Sequence, residues 1–159
     1  MKPIALKLIA ALALVATVSP LAFAHDKKGL EAGPNGGRVI TRVKPPLEFF
    51  VTKDRKVQIT ALTDDLKQPA KFSGQLIAVT AGERSNPTKL DLKEEGGKLV
   101  STNTLPEGND YPVSVSIKAD AGAKATYEKF NLNLSKCPEC KQPEYACTCE
   151  HADDDDDGK

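Results

Sequence analysis

The sequence contains no tryptophan, one methionine, two histidines, three tyrosines and five phenylalanines. Aromatics this sparse do not interleave with a basic stripe, which argues against a nucleic-acid partner. Two histidines leave little for proton-transfer chemistry. There is no G-x-S-x-G, no phosphate-binding glycine loop and no Ser/His/Asp grouping at a suggestive spacing, so the chain reads as a non-enzyme. No 11-residue window carries a convincing helical stripe. Neither charge dominates, since 22 Lys and Arg balance 22 Asp and Glu.

One apolar run is present, over residues 8–18, broken only by Thr17. Lys2 and Lys7 flank its start, Ser19-Pro20 ends it, and Ala22-Phe23-Ala24 places small residues where a signal peptidase reads them. The run is shorter than the ~20 residues a membrane helix needs, and no Cys follows it to be lipidated. Residues 1–24 are therefore expected to be a cleavable secretory signal. The mature chain would start at His25, reside in the periplasm or outside the cell, and hold no membrane span. Cleavage would remove two Lys and no acid, leaving 135 residues and a net charge of −2. That charge is uneven: residues 25–136 carry +4 and residues 137–159 carry −6.

Residues 25–37 have almost nothing to bury, and Gly33-Pro-Asn-Gly-Gly37 marks a turn, so this stretch is expected to be a flexible N-terminal segment. From Arg38 the pattern becomes short β-branched runs punctuated by turn residues. Strands are expected over residues 38–43, 47–52, 57–62, 75–80, 89–93, 98–101, 113–118 and 127–134, with Gly96-Gly97 as a tight hairpin turn. The alternation of Val113, Val115 and Ile117 with Ser114, Ser116 and Lys118 is the cleanest half-buried strand. About eight short strands at roughly 8–14-residue spacing predict an all-β domain over residues 38–136, an antiparallel immunoglobulin-like β-sandwich. It lacks the Trp and inter-sheet Cys pair of antibody domains.

Composition then shifts abruptly. All four cysteines, Cys137, Cys140, Cys147 and Cys149, fall in one segment, with His151 two residues beyond, giving C-x2-C-x6-C-x-C-x-H over residues 137–151. Four sulfurs and an imidazole at this density can surround a tetrahedral ion, and soft ligands suit Zn(II) or Cu(I). Few apolar residues accompany them, so metal binding and local folding would be linked. Two rival readings remain open. Export favours oxidation, and four Cys outside the cytosol also read as two disulfides joining Cys137 or Cys140 to Cys147 or Cys149. A redox-active Cys137-Pro-Glu-Cys140 pair is the third, though no thioredoxin-like βαβ pattern surrounds it. Residues 152–159 hold the run Asp153–Asp157, which reads as a solvated, disordered tail without the spaced ligands of a calcium loop. At the other end, a free α-amino group on His25 and its imidazole could chelate a metal together, an arrangement that suits Cu(II).

Several segments resemble a group of small exported bacterial β-sandwich domains associated with heavy-metal efflux and resistance. The matching pieces are Asn35-Gly36-Gly37, Leu47-Glu48-Phe49-Phe50-Val51, residues 65–69, and Leu105-Pro106-Glu107-Gly108 leading into Val113-Ser114-Val115. The likeness spans roughly residues 33–134, and Asn35 stands where those domains often carry His. Cys137-Pro-Glu-Cys140 resembles the metal knuckle of rubredoxins and zinc ribbons, while Cys147-Thr-Cys149 is closer to metallothionein spacing. More distantly, the chain is similar to periplasmic copper-resistance sandwiches whose mature chain begins with His. These resemblances imply an exported metal-binding protein, with Zn or Cu as its ion and an envelope protein such as a metal-efflux component as a possible partner. The competing expectation is a structural or interaction module whose tail is pinned by two disulfides.

Overall fold

The structure, a computed structural model, describes residues 31–149. The signal segment, His25, His151 and the acidic run Asp153–Asp157 lie outside the described residues.

Among the described residues nine strands form two antiparallel sheets. They are β1 (Arg38–Ile40), β2 (Leu47–Val51), β3 (Val57–Ala61), β4 (Leu76–Ala81), β5 (Thr88–Leu90), β6 (Leu92–Glu95), β7 (Lys98–Ser101), β8 (Asp110–Lys118) and β9 (Thr126–Asn133). The first sheet runs β1-β2-β3-β7-β6 and the second β5-β4-β8-β9. The all-β, two-sheet expectation therefore holds. Among the described residues no helix is long and apolar enough to cross a membrane.

Alternation decides which side chains meet between the sheets. On β8, Tyr111, Val113, Val115 and Ile117 are buried, and the residues between them face outward. They join Val79 and Ala81 of β4 and Leu132 of β9 against Leu47, Phe49, Val57 and Ile59 of the first sheet, in one continuous core. Each large apolar side chain buried there contributes about 1.5–3 kcal/mol, which makes this shared core the main source of the frame's stability.

The expected strand at 89–93 is two strands, and the reason is local. The chain leaves the second sheet after Leu90 and enters the first at Leu92. Asp91 sits at the crossing, where its backbone N–H donates to Asn103 Oδ1 (2.9 Å) and its carbonyl accepts from Thr102 N–H (2.8 Å). Asn103 Nδ2 also donates to the Lys89 carbonyl at 3.0 Å. At Asp91, between the two strands, the ladder thus gives way to one backbone hydrogen bond from Thr102 and the side-chain hydrogen bonds of Asn103. The hairpin at Gly96-Gly97 forms as expected: Glu95 pairs with Lys98, and φ values of 58° and 77° give the left-handed backbone that a two-residue turn requires.

β1 and β9 are edge strands of different sheets. Arg38 of β1 joins them, pairing with Glu128 at 3.0 Å while its guanidinium lies 4.9 Å from the centre of the Phe130 ring. The cysteine segment packs at this junction.

Candidate metal centre

After β9 the chain turns back alongside that strand. Lys136 and Pro143 form an isolated antiparallel bridge, and Glu144 N–H donates to the Ser135 carbonyl at 2.9 Å. Residues 137–142 form the tip of this small hairpin. There Cys137 N–H donates to the Gln142 carbonyl (2.8 Å) and Lys141 N–H to the Cys137 carbonyl (3.1 Å). Lys141 adopts φ 66°, the left-handed conformation that lets so tight a loop close. A short 3-10 helix, Glu144–Ala146, then carries the chain back towards Cys147 and Cys149.

This path brings together Cys137, Cys140, Cys147 and Cys149, whose sulfurs all lie within 4.8 Å of one another. Cys137 Sγ is 3.8 Å from Cys149 Sγ, and Cys140 Sγ is 3.6 Å from Cys147 Sγ. Four sulfurs at about 2.3 Å from a tetrahedral zinc are separated by about 3.8 Å. These two pairs have this spacing, and it is nearly twice the ~2.05 Å of a disulfide. No disulfide joins the four. Cys137 is fully buried, while the other three are partly exposed.

The sulfurs do not share one electrostatic environment. Backbone N–H groups of Thr148, and then Gln142, point at Cys140 and pull its thiol down to about 6, helped by the Cys147 and Cys149 side chains against an opposing desolvation effect. Loss of hydration pushes Cys147 and Cys149 up, and neighbouring sulfurs reinforce the rise at both. For Cys147 the Cys149 N–H, at 3.4 Å from its sulfur, works the other way. A cluster with one easily ionised thiol and two that resist ionisation keeps protons until a cation compensates the negative charge. A divalent ion, if bound, would reverse that balance and hold the sulfurs as thiolates.

Tyr145 ties the loop to the frame, a role the sequence reading missed. Its ring is 3% exposed, lies edge-on to Phe49 (5.9 Å between centroids) and stacks on Phe130 (6.3 Å). Its hydroxyl accepts a hydrogen bond from Val51 N–H at 3.1 Å, and Arg38 Nη1 donates to its carbonyl at 3.4 Å. Burial first, and the charge of Glu48 to a lesser degree, push the phenol up to about 12, so it stays neutral in neutral solution. Ala146 is buried in the same core. The segment thus borrows the domain's core, because its own few apolar residues cannot make one. A single Tyr between two Cys pairs carries no period, and only the proximity of Phe49 and Phe130 reveals its use.

A second turn supports the loop from the other side. Glu48 is fully buried on β2, and its carboxyl oxygens accept from Asn35 N–H (2.8 Å), Asn35 Nδ2 (2.7 Å) and Gly37 N–H (3.0 Å). Residues 33–37 therefore wrap a buried acid, and those hydrogen bonds offset much of its desolvation. Gly36 stands where φ is 80°, a left-handed backbone that favours glycine, and its Cα faces the side-chain amide of Gln142 in the cysteine loop.

Of the six metal-ligand candidates, the four cysteines converge, and His25 and His151 lie outside the described residues. Comparison with known proteins found no matching family model, no matching curated protein and no matching solved structure, so the functional argument rests on the geometry of the four sulfurs.

Proposed function

We propose that this is an exported envelope protein that binds Zn(II) or Cu(I) through Cys137, Cys140, Cys147 and Cys149, and that buffers the ion or hands it to a partner. The observation that carries this reading is the set of four sulfurs within 4.8 Å, unjoined by disulfides. An all-thiolate set selects thiophilic ions. Partial exposure of Cys140, Cys147 and Cys149 leaves a path for a partner's ligands to reach the ion, which favours exchange over permanent storage. His151, two residues beyond Cys149, and the N-terminal His25 are proposed as auxiliary nitrogen ligands. No catalytic step is assigned to the site.

We further read the frame as immunoglobulin-like. With β1 set aside, β2-β3-β7-β6 facing β5-β4-β8-β9 follows the A-B-E-D and C′-C-F-G order of such sandwiches. Tyr111 lies near the start of β8, the F position, and its hydroxyl donates to the Pro106 carbonyl at 3.2 Å, in the manner of a tyrosine corner.

Native mass spectrometry of the secreted protein, with and without reductant, tests the functional reading. The expected species begins at His25 and carries one thiophilic ion, which Cys137→Ser abolishes. A mass four hydrogens below the reduced chain with no metal retained would instead establish two disulfides and the interaction-module reading. A retained residue 1–24 segment would overturn the export signal.

A further inference from the structure

The second sheet turns one face to the core and the other away from it. On the outward face its two central strands carry short side chains, Ala78 and Thr80 on β4 and Ser114 and Ser116 on β8, while β9 beside them carries Tyr127 and Lys129. Strand pairing sets these in rows. Thr80, Ser114 and Lys129 stand side by side, and Ala78, Ser116 and Tyr127 form the next row. Arg84 and Pro87, from the turn between β4 and β5, complete the wall. Short residues between long ones leave a trough of about 660 Å³, within the ~300–1,000 Å³ usual for small-ligand sites.

The trough is lined by two cations, Arg84 and Lys129, and by no acid. Among the described residues neither cation forms an ion pair, and the side chains of Thr80, Ser114 and Tyr127 make no hydrogen bond within the chain. Arg38 and Arg55, by contrast, are each held by protein oxygens. Asn131, also in the lining, donates through Nδ2 to Asp110, which leaves its amide oxygen to accept.

We propose that this trough binds an acidic saccharide, a short run of sugar rings bearing carboxylates. Three features choose that class. Two unpaired cations with no acid between them favour an anion, and the Arg84 fork matches a carboxylate. Tyr127, 54% exposed, offers an apolar ring for the C–H face of a sugar. The Thr80 and Ser114 hydroxyls both donate and accept, as sugar hydroxyls require. An acidic peptide meets only the first of these. Because β8 is paired on both sides, with β4 and β9, an incoming strand finds no free backbone groups here. The inference rests neither on the metal centre nor on export.

Titration of the full chain with tetragalacturonate, followed through amide chemical shifts, tests it. The Thr80, Arg84, Ser114, Tyr127 and Lys129 amides are expected to move and saturate while those of β2 and β3 stay in place. Tyr127→Ala should weaken binding about tenfold, and Arg84→Gln combined with Lys129→Gln by at least as much. Both variants change outward side chains, so the β2 and β3 amides should keep their positions. About 1 M salt, where the Debye length is ~3 Å, should weaken binding in the unaltered chain. Unmoved trough amides at millimolar saccharide would overturn the proposal. So would equal binding of the methyl ester, which keeps the rings and loses the charge, or undiminished binding by Tyr127→Ala. Tighter binding of hexaglutamate at the same amides would instead assign the trough to acidic peptides.

Discussion

The strand frame and the cysteine loop stand on the same chain yet hold their shape by opposite means. The frame is redundant: two sheets bury Leu47, Phe49, Ile59, Val79, Val113, Val115, Ile117 and Leu132 in one core. The loop has no such redundancy. Residues 137–149 rest on Tyr145 and Ala146 in the borrowed core, a few backbone hydrogen bonds, and four sulfurs poised to share an ion. The frame's energy comes from area, which is insensitive to small displacements. The loop's comes from geometry, which is not. On the proposed function, that difference would let a binding site sit on the loop: four sulfurs there would take up or release an ion without disturbing the core, provided the tyrosine stays in place.

Removing that anchor is the strongest way to break the comparison. Tyr145→Ala leaves a hole between Phe49 and Phe130 and is expected to cost about 3–5 kcal/mol in denaturant unfolding. Tyr145→Phe removes only the acceptor for Val51 N–H and should cost about 1–2 kcal/mol. Bound metal should fall with Tyr145→Ala and persist with Tyr145→Phe. Equal metal loss in both would mean that the hydroxyl, and not the ring, positions the loop.

Metal uptake should respond to pH in a defined sense. Cys147 and Cys149 are pushed up by lost hydration, so in neutral solution they hold protons that an incoming ion must displace. Affinity should therefore rise with pH, with at least two protons, those of Cys147 and Cys149, released per ion. Calorimetry in buffers of different ionisation enthalpy measures this number. No proton release would mean that the sulfurs are not the ligands.

The smallest effect sharpens the loop's own contribution. Lys141 holds a left-handed backbone at φ 66°, where glycine is at ease. Its ammonium also donates to the Pro138 carbonyl, a solvent-exposed contact of little worth. Lys141→Gly is expected to stabilise the loop by about 0.5–1 kcal/mol, visible as slower amide exchange at Cys137 and Lys141. The strands should be unaffected.

The alternation of β8 and the Gly96-Gly97 hairpin were legible because each signal is local: a period of two, or a turn that needs positive φ. The break at Asp91 was not, since Leu90 and Leu92 look like one strand until Asn103, twelve residues beyond Asp91, takes the Asp91 N–H between them. Glu48 was legible as an acid in an apolar run, but not as one wrapped by residues 33–37. Its partners are the backbone N–H groups of Asn35 and Gly37 and the Asn35 side-chain amide, which carry no distinctive sequence signal.

The sequence by itself determined that the domain is β throughout and that any thiophilic site would be built from Cys137, Cys140, Cys147 and Cys149, because strand period and cysteine spacing are properties of adjacent residues. Tertiary structure alone decided that these sulfurs face one another at the junction of β1 and β9, with Tyr145 sunk between Phe49 and Phe130. Those partners stand on β2 and β9, strands of different sheets, and only the packing of one sheet over the other brings them to a single tyrosine.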